Sequence, residues 1–359
     1  MNFIFEYALF FAKSITIVAV IIILLVFILS QRKKSPSGSL EIKDLSENYE
    51  QMQETMSAFG MSDEEAKQWQ KAERKQKKLA SKQRKKKAKQ DKKIKSAADE
   101  QQAAVQTEEL FQQSRAKLYV LSFNGSVDAH EVEDLRQEVT AILSVIKPQD
   151  KVVIKLESPG GVVHGYGLAA SQLMRFRKRD IPFTAVVDKV AASGGYMMAC
   201  TANKIIAAPF AIIGSIGVVA QIPNFHRLLK KNDIDVELQT AGEYKRTLTM
   251  FGENTPEGRE KFKQELEEVH HLFKDFVQEN RPNLAIDEVA TGEHWFATQA
   301  KEKGLVDEIG TSDDFILEHL DAYKILSVKY RRHTNLTDKV TKRFVQGVER
   351  LFFRRQMLK

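Results

Sequence analysis

From Lys117 onward the sequence predicts an α/β domain, and two observations carry that prediction. Short β-rich runs alternate with amphipathic stretches, the pattern of a sheet covered by helices, and the two glycine-rich turns of this region follow predicted strands. The segments ahead of Lys117 have neither feature.

Taken in order, LYVLSF (118–123) reads as a strand, HEVEDLRQEVTAILSVI (130–146) as a helix, and VVIKLES (152–158) as a second strand stopped by Pro159-Gly160-Gly161. A helix follows over about 164–177. PFTAVVD (182–188), NKIIAAP (203–209), IGVVA (216–220) and VELQTAG (236–242) are further strands, and a long helix covers about 256–279. GEHWFATQAKEKGLVDEIG (292–310) holds a capped amphipathic helix with a stop at Gly304. The stretch 196–222 is apolar enough to suggest a membrane span. Asn203, Lys204, Pro209 and its glycines interrupt it, so core strands are the better reading.

Ahead of this domain, residues 14–30 form an uncharged apolar run of 17, extended by Tyr7–Phe11, which predicts a transmembrane helix. A cleaved signal peptide would have a basic start and a small-residue cleavage site, and neither is present. Arg32, Lys33 and Lys34 favour a cytoplasmic side for the remainder of the chain by the positive-inside rule. Residues 44–115 are poor in Gly and Pro and rich in Lys, Gln, Glu and Ala, as in a solvated helix or a disordered tether. The tail from 336 places Phe344, Val348, Leu351 and Phe352 along one helical face, to lie on a membrane surface or pack on the domain. The chain thus divides into an anchor (1–34), a basic linker (35–115), the α/β domain (116–330) and a basic amphipathic tail (331–359).

Composition excludes several function classes. The single cysteine, Cys200, rules out an intrachain disulfide and a CxxC site. The net charge of +7 arises from the tract at 71–95 and the tail, not from a folded groove. That tract interleaves no aromatic residues for base stacking, so no nucleic-acid partner is expected; attraction to anionic lipid headgroups suits it better. HExxH, the P-loop, a helix-opening GxGxxG and the GxSxG elbow are all missing, leaving zinc, nucleotide and α/β-hydrolase chemistry without local support.

The chemistry then rests on two turns, SPGG (158–161) and ASGGYMMA (192–199). Ser193 is placed where a strand enters an apolar helix, so that first-turn N–H groups face it. Such donors stabilise the oxyanion formed when a serine attacks an amide, and Gly161 and Gly194 N–H are the candidates. A serine at that place also caps helices, which gives Ser193 a purely structural alternative. A nucleophilic serine needs a base. His164 and His226 lack an evident carboxylate to orient them, and Lys245, in TAGEYKRTL, serves only if burial or a nearby cation lowers its pKa.

SPGG, ASGGYMMA, GSIGV (214–218) and GEYK (242–245), in that order and spacing, resemble the signal peptide peptidase A (SppA) family of serine proteases, most closely its SohB branch, from about Lys117 to Tyr330. The resemblance implies Ser193 as nucleophile, Lys245 as general base, Ser215 as the residue orienting that lysine, and Gly161 in the oxyanion hole. It implies a ClpP/crotonase-like spiral of ββα units, assembly of copies into a ring around an enclosed space, and no metal or cofactor. The segment 292–310 is similar to the family's closing helix and strand and is expected to shape the wall of the substrate groove. The activity implied is hydrolysis of peptide bonds in hydrophobic membrane or exported peptides at a bacterial inner membrane. The alternatives are a non-catalytic membrane scaffold and an acyl-CoA enzyme on the same fold, the latter having no need of a serine-lysine pair.

Overall fold

Parallel strands whose two faces are both covered read as near-continuous apolar runs, and the longest runs of this sequence become the centre of its main sheet. The structure is a computed structural model that describes residues 38–62 and 115–332, with isolated positions among 10–14 and 64–75. The apolar run beyond Ser14, residues 76–95 of the basic tract and the tail from 336 lie outside the described residues. Among the described residues, no helix is long and apolar enough to cross a membrane.

The elements are β1 (Gly38–Asp44), α1 (Leu45–Phe59), β2 (Lys117–Asn124), α2 (Val132–Leu143), β3 (Lys151–Glu157), α3 (Val163–Arg177), β4 (Phe183–Val187), β5 (Val190–Ala192), α4 (Gly194–Ala199), β6 (Lys204–Ala207), β7 (Ile212–Gly214), α5 (His226–Lys231), α6 (Pro256–Asn280), α7 (Ile286–Val289), β8 (His294–Phe296), α8 (Ala297–Glu302), β9 (Glu308–Ile309), α9 (Ser312–His319) and β10 (Lys324–Arg332). A seven-stranded sheet has the order β1-β10-β2-β3-β4-β6-β9, and a three-stranded one the order β5-β7-β8. Tyr119 pairs with Val152, Val152 with Phe183 and Thr184 with Lys204, all in parallel register. The fold is therefore mixed α/β with a parallel-rich sheet.

Alternation along the strands divides the core in two. Leu121, Phe123, Ile154, Leu156 and Ala185 face a large cluster with residues of α2, α3, α4 and α6. Leu118, Val120, Val153 and Val186 face the other side, where Phe315 and Ile316 of α9 meet Leu45 and Tyr49 of α1. Local signals set the helix ends. Thr255 accepts the Gly258 N–H at 3.0 Å, and Pro256 opens α6, where its missing N–H costs nothing.

Within the stretch read as a linker, residues 38–59 form β1 and α1, and Asp44 caps α1 by accepting from Ser46 and Glu47 N–H. The structure corrects two strand expectations. In place of a strand at 216–220 the strand is Ile212–Gly214, because Gly214 (φ +104°) and Ser215 (φ +52°) turn the backbone out of extended geometry. Residues 236–242 have no partner strand and remain irregular and exposed; an apolar-polar alternation does not make a strand without a ladder. The apolar stretch 196–222 contributes α4, β6 and β7, as core strands and a buried helix should.

Candidate active site

In a parallel sheet the loops leaving the carboxyl ends of neighbouring strands converge, and four such loops meet here. They follow β2, β3, β5 and β7. The short strand β5 joins the main sheet through the Ser158↔Ala191 bridge, with Ser158 N–H donating to Val190 carbonyl at 2.8 Å and Ala192 N–H to Ser158 carbonyl at 3.0 Å.

Ser193 follows β5 with no intervening loop and stands at the N-cap of α4. Its backbone is at φ +52°, ψ −121°, a region that favours glycine, and its side chain makes no cap hydrogen bond. The capping role that a serine at this place could play is therefore unfilled. A non-glycine residue held in such a conformation costs on the order of 1–3 kcal/mol, and strain of this kind clusters at reactive positions.

Ser193 N–H donates to Gly214 carbonyl at 2.8 Å, and Ala192 pairs with Gly214 in the β5–β7 ladder, so Ser193 and Ser215 are successive residues on adjacent strand ends. Ser215 repeats the positive φ, and its N–H donates to Glu293 carbonyl at 2.6 Å. Both serines line an open cleft of about 1420 Å³ with Gly160, Gly161, Gly194 and Met197. Its walls are mostly apolar, with Val163, Val219, Phe273 and Phe276 among them.

The SPGG turn is held against the Ser193 turn at van der Waals limits. A Cβ on Gly160, at φ +91°, would lie 2.6 Å from the Ser193 Cβ, and one on Gly161 would lie 1.9 Å from the Val127 carbonyl oxygen. Glycine is thus required at both positions. Among the described residues no backbone acceptor meets the Gly161 N–H, and the Gly194 N–H, first in α4, has none within the helix. Both glycines line the cleft together with Ser193.

Lys245 is elsewhere. It is exposed, in an irregular stretch between α5 and α6, with its N–H on Gly242 carbonyl at 3.2 Å, and is not among the residues lining the cleft. The structure brings Ser193, Ser215, Gly161 and Gly194 together and leaves Lys245 outside. His164 lines the cleft but is exposed, and His226 does not line it. Of the expected wall at 292–310, Gly292 lines the cleft, while Trp295 and Phe296 pair β8 antiparallel to β7 and are not among the lining residues.

Two features escaped the sequence reading. His270 on α6 lines the cleft with Nε2 3.3 Å from Ile216 carbonyl, which also accepts the Gly292 N–H at 3.1 Å. Nothing in VHHLF marks that contact. Tyr166 is fully buried under the Ser193 turn; its only local signal is a bulky ring set between Gly165 and Gly167. No group of three or more potential metal ligands occurs among the described residues. Cys200 is buried, and burial pushes its thiol up to about 12, which makes it an inert part of the core.

Comparison with known proteins agrees with this architecture. The chain matches the model of peptidase family S49 over residues 175–325 and that of the peptidase family S49 N-terminal region over 2–173. It is 53% identical over 335 residues to "Probable protease SohB" of Haemophilus influenzae, covering 93% of this chain and 90% of that protein. A protein of the same name from Buchnera aphidicola of Schlechtendalia chinensis is 51% identical over 319 residues, covering 88% of this chain and 99% of its own length. Matches of this extent show that the chain belongs to peptidase family S49 and is a protease of the SohB type within it.

Proposed function

We propose that this protease is a membrane-anchored serine endopeptidase in which Ser193 is the nucleophile, Lys245 the general base and Ser215 the residue that orients the lysine amine. The observation that carries the reading is Ser193 itself, strained at φ +52°, uncapped, and flanked by the free N–H groups of Gly161 and Gly194. Ser193 Oγ attacks the peptide carbonyl carbon while its proton passes to the Lys245 amine. The tetrahedral oxyanion accepts from Gly161 and Gly194 N–H. The C–N bond then breaks, Lys245 returns the proton to the leaving amine, and water hydrolyses the acyl ester by the same route.

The position of Lys245 outside the cleft adds a condition. A lysine base must be desolvated, and the stretch carrying it exposes Ile234, Val236, Leu238, Tyr244 and Phe251. Assembly of copies would cover these side chains and present Lys245 of one chain to Ser193 of another. This supports the ring expected from the family resemblance, and the parallel strand order supports its ClpP/crotonase-like spiral. The apolar cleft suits hydrophobic segments of membrane or exported proteins, which an enzyme anchored through residues 1–34 in a bacterial inner membrane would meet first.

A fluorophosphonate probe tests the nucleophile on full-length protein in detergent. Wild type is expected to label, and Ser193→Ala and Lys245→Ala are not. A folded, assembled wild type that stays unlabelled would overturn the serine mechanism in favour of a non-catalytic scaffold.

A further inference from the structure

Tyr166 lies in the first turn of α3, fully buried, and its side chain lies against Gly194 and is linked through Ser158 to the turn that carries Gly161. Its ring lies against Gly194 so closely that a Cβ there would be 2.3 Å from the ring's Cγ. Its hydroxyl reaches the other half through Ser158. Ser158 Oγ and Tyr166 Oη are 2.5 Å apart, Tyr166 Oη is 2.8 Å from the Ser126 carbonyl oxygen, and the Gly160 N–H meets Ser158 Oγ at 3.1 Å.

The directions of these bonds follow from counting protons. A carbonyl only accepts and a phenol has a single proton, so Tyr166 donates to Ser126 carbonyl and must accept from Ser158. Ser158, having spent its proton on Tyr166, accepts from Gly160 N–H. The relay therefore runs one way, from Gly160 N–H to Ser158, from Ser158 to Tyr166, and from Tyr166 to Ser126. It ties the turn after β3 to the loop after β2, whose Val127 carbonyl accepts the Val162 N–H at 2.8 Å. By engaging the Gly160 N–H it occupies that donor and leaves Gly161 N–H as the donor this turn offers beside Ser193.

We infer that Tyr166 and Ser158 are positioning residues that set the spacing of the Gly161 and Gly194 donors, acting on the transition state without touching the substrate. The inference rests on the assignment of Ser193 as nucleophile. Misplacing a catalytic group by about 1 Å can cost about 100-fold in rate, so a clamp of this kind acts on kcat.

The test is steady-state hydrolysis of an apolar fluorogenic peptide by the full-length protein in detergent. Tyr166→Phe, which keeps the ring and removes the hydroxyl, is expected to lower kcat about 10- to 100-fold with KM changed by less than about twofold. Ser158→Ala should do the same, and the double variant should lose no more than the worse single one, because both break one relay. If Tyr166→Phe does not fold, Ser158→Ala decides alone. Wild-type kcat in the folded variants, a change confined to KM, or losses that multiply would each overturn the positioning role. Ser193→Ala separates the two claims: if it stays active, the nucleophile assignment falls and this inference with it. An inactive Ser193→Ala beside a fully active Tyr166→Phe removes the clamp alone.

Discussion

Ser193 has a backbone conformation that its side chain opposes, while the β5–β7 ladder and the first turn of α4 hold it in place. The strain can be measured. Ser193→Ala and Ser193→Gly should both abolish hydrolysis, but only glycine relaxes φ +52°. After allowing for the greater flexibility of glycine when unfolded, Ser193→Gly should be more stable than Ser193→Ala by about 1 kcal/mol. Thermal unfolding of the two variants checks this, and a Ser193→Gly less stable than Ser193→Ala by the full flexibility cost of glycine would mean that the conformation carries no strain. At this scale the sequence was legible where chemistry depends on a short motif, as in SPGG and ASGGY. It was silent on Tyr166 and His270, whose roles arise from what lies across a fold boundary and not from their neighbours in the chain. The exposure of Lys245 is what its residue type alone suggests, and only the family resemblance assigns it to the site.

At the scale of elements, strands buried on both faces announced themselves through composition, and β2, β3, β4 and β6 fall within a residue or two of where the apolar runs place them. The misplaced strands lie where backbone sterics or pairing overruled hydropathy: Gly214 and Ser215 end β7 early, and 236–242 finds no ladder. The last elements are tied back by Arg281. Its guanidinium donates to both Asp307 oxygens at 2.9 and 2.7 Å and to Gly304 carbonyl at 3.0 Å, while Asp307 also accepts the Ile205 N–H at 2.7 Å. Burial, the largest single influence, would raise the Asp307 carboxyl, but the hydrogen bonds from Arg281 and Ile205 and the Arg281 charge together hold it below its ordinary value. A depressed carboxyl stabilises the fold fully above its unfolded-state pKa of about 4 and loses that contribution as pH falls through the lower folded value. Asp307→Asn should therefore be less stable than wild type at pH 7 by up to about 1 kcal/mol, since solvent screens this part-exposed pair, with the two curves converging below about pH 4. Denaturant unfolding across that range tests it, and a gap that persists in acid would assign the loss to packing.

At the scale of the whole molecule, the described surface exposes apolar side chains along 210–251, with Val219 at 90% and Phe210 at 81% exposure. Isolated exposed hydrophobics are common, but a run of them beside a cleft marks a surface made for contact. If the dyad closes between copies, mixing inactive Ser193→Ala with inactive Lys245→Ala under conditions that allow exchange should restore part of the hydrolysis. A mixture that stays inactive after exchange would place the base within one chain. The sequence carried the exposed residues but could not reveal them, because an apolar stretch left on the surface reads the same as one destined for the core.

The strand order has a consequence for how the chain is made. β2 has β3 on one side, but its other neighbour, β10, is synthesised roughly two hundred residues later, about 10–40 s at ordinary ribosomal rates, and β1, near the start of the chain, is seated only against β10. Until then the growing chain carries a long apolar strand with an open edge, the kind of template on which nascent proteins aggregate. Biosynthesis should accordingly be most vulnerable late in translation, and a chain truncated before Lys324 should be handed to chaperones or proteases instead of accumulating as a folded fragment.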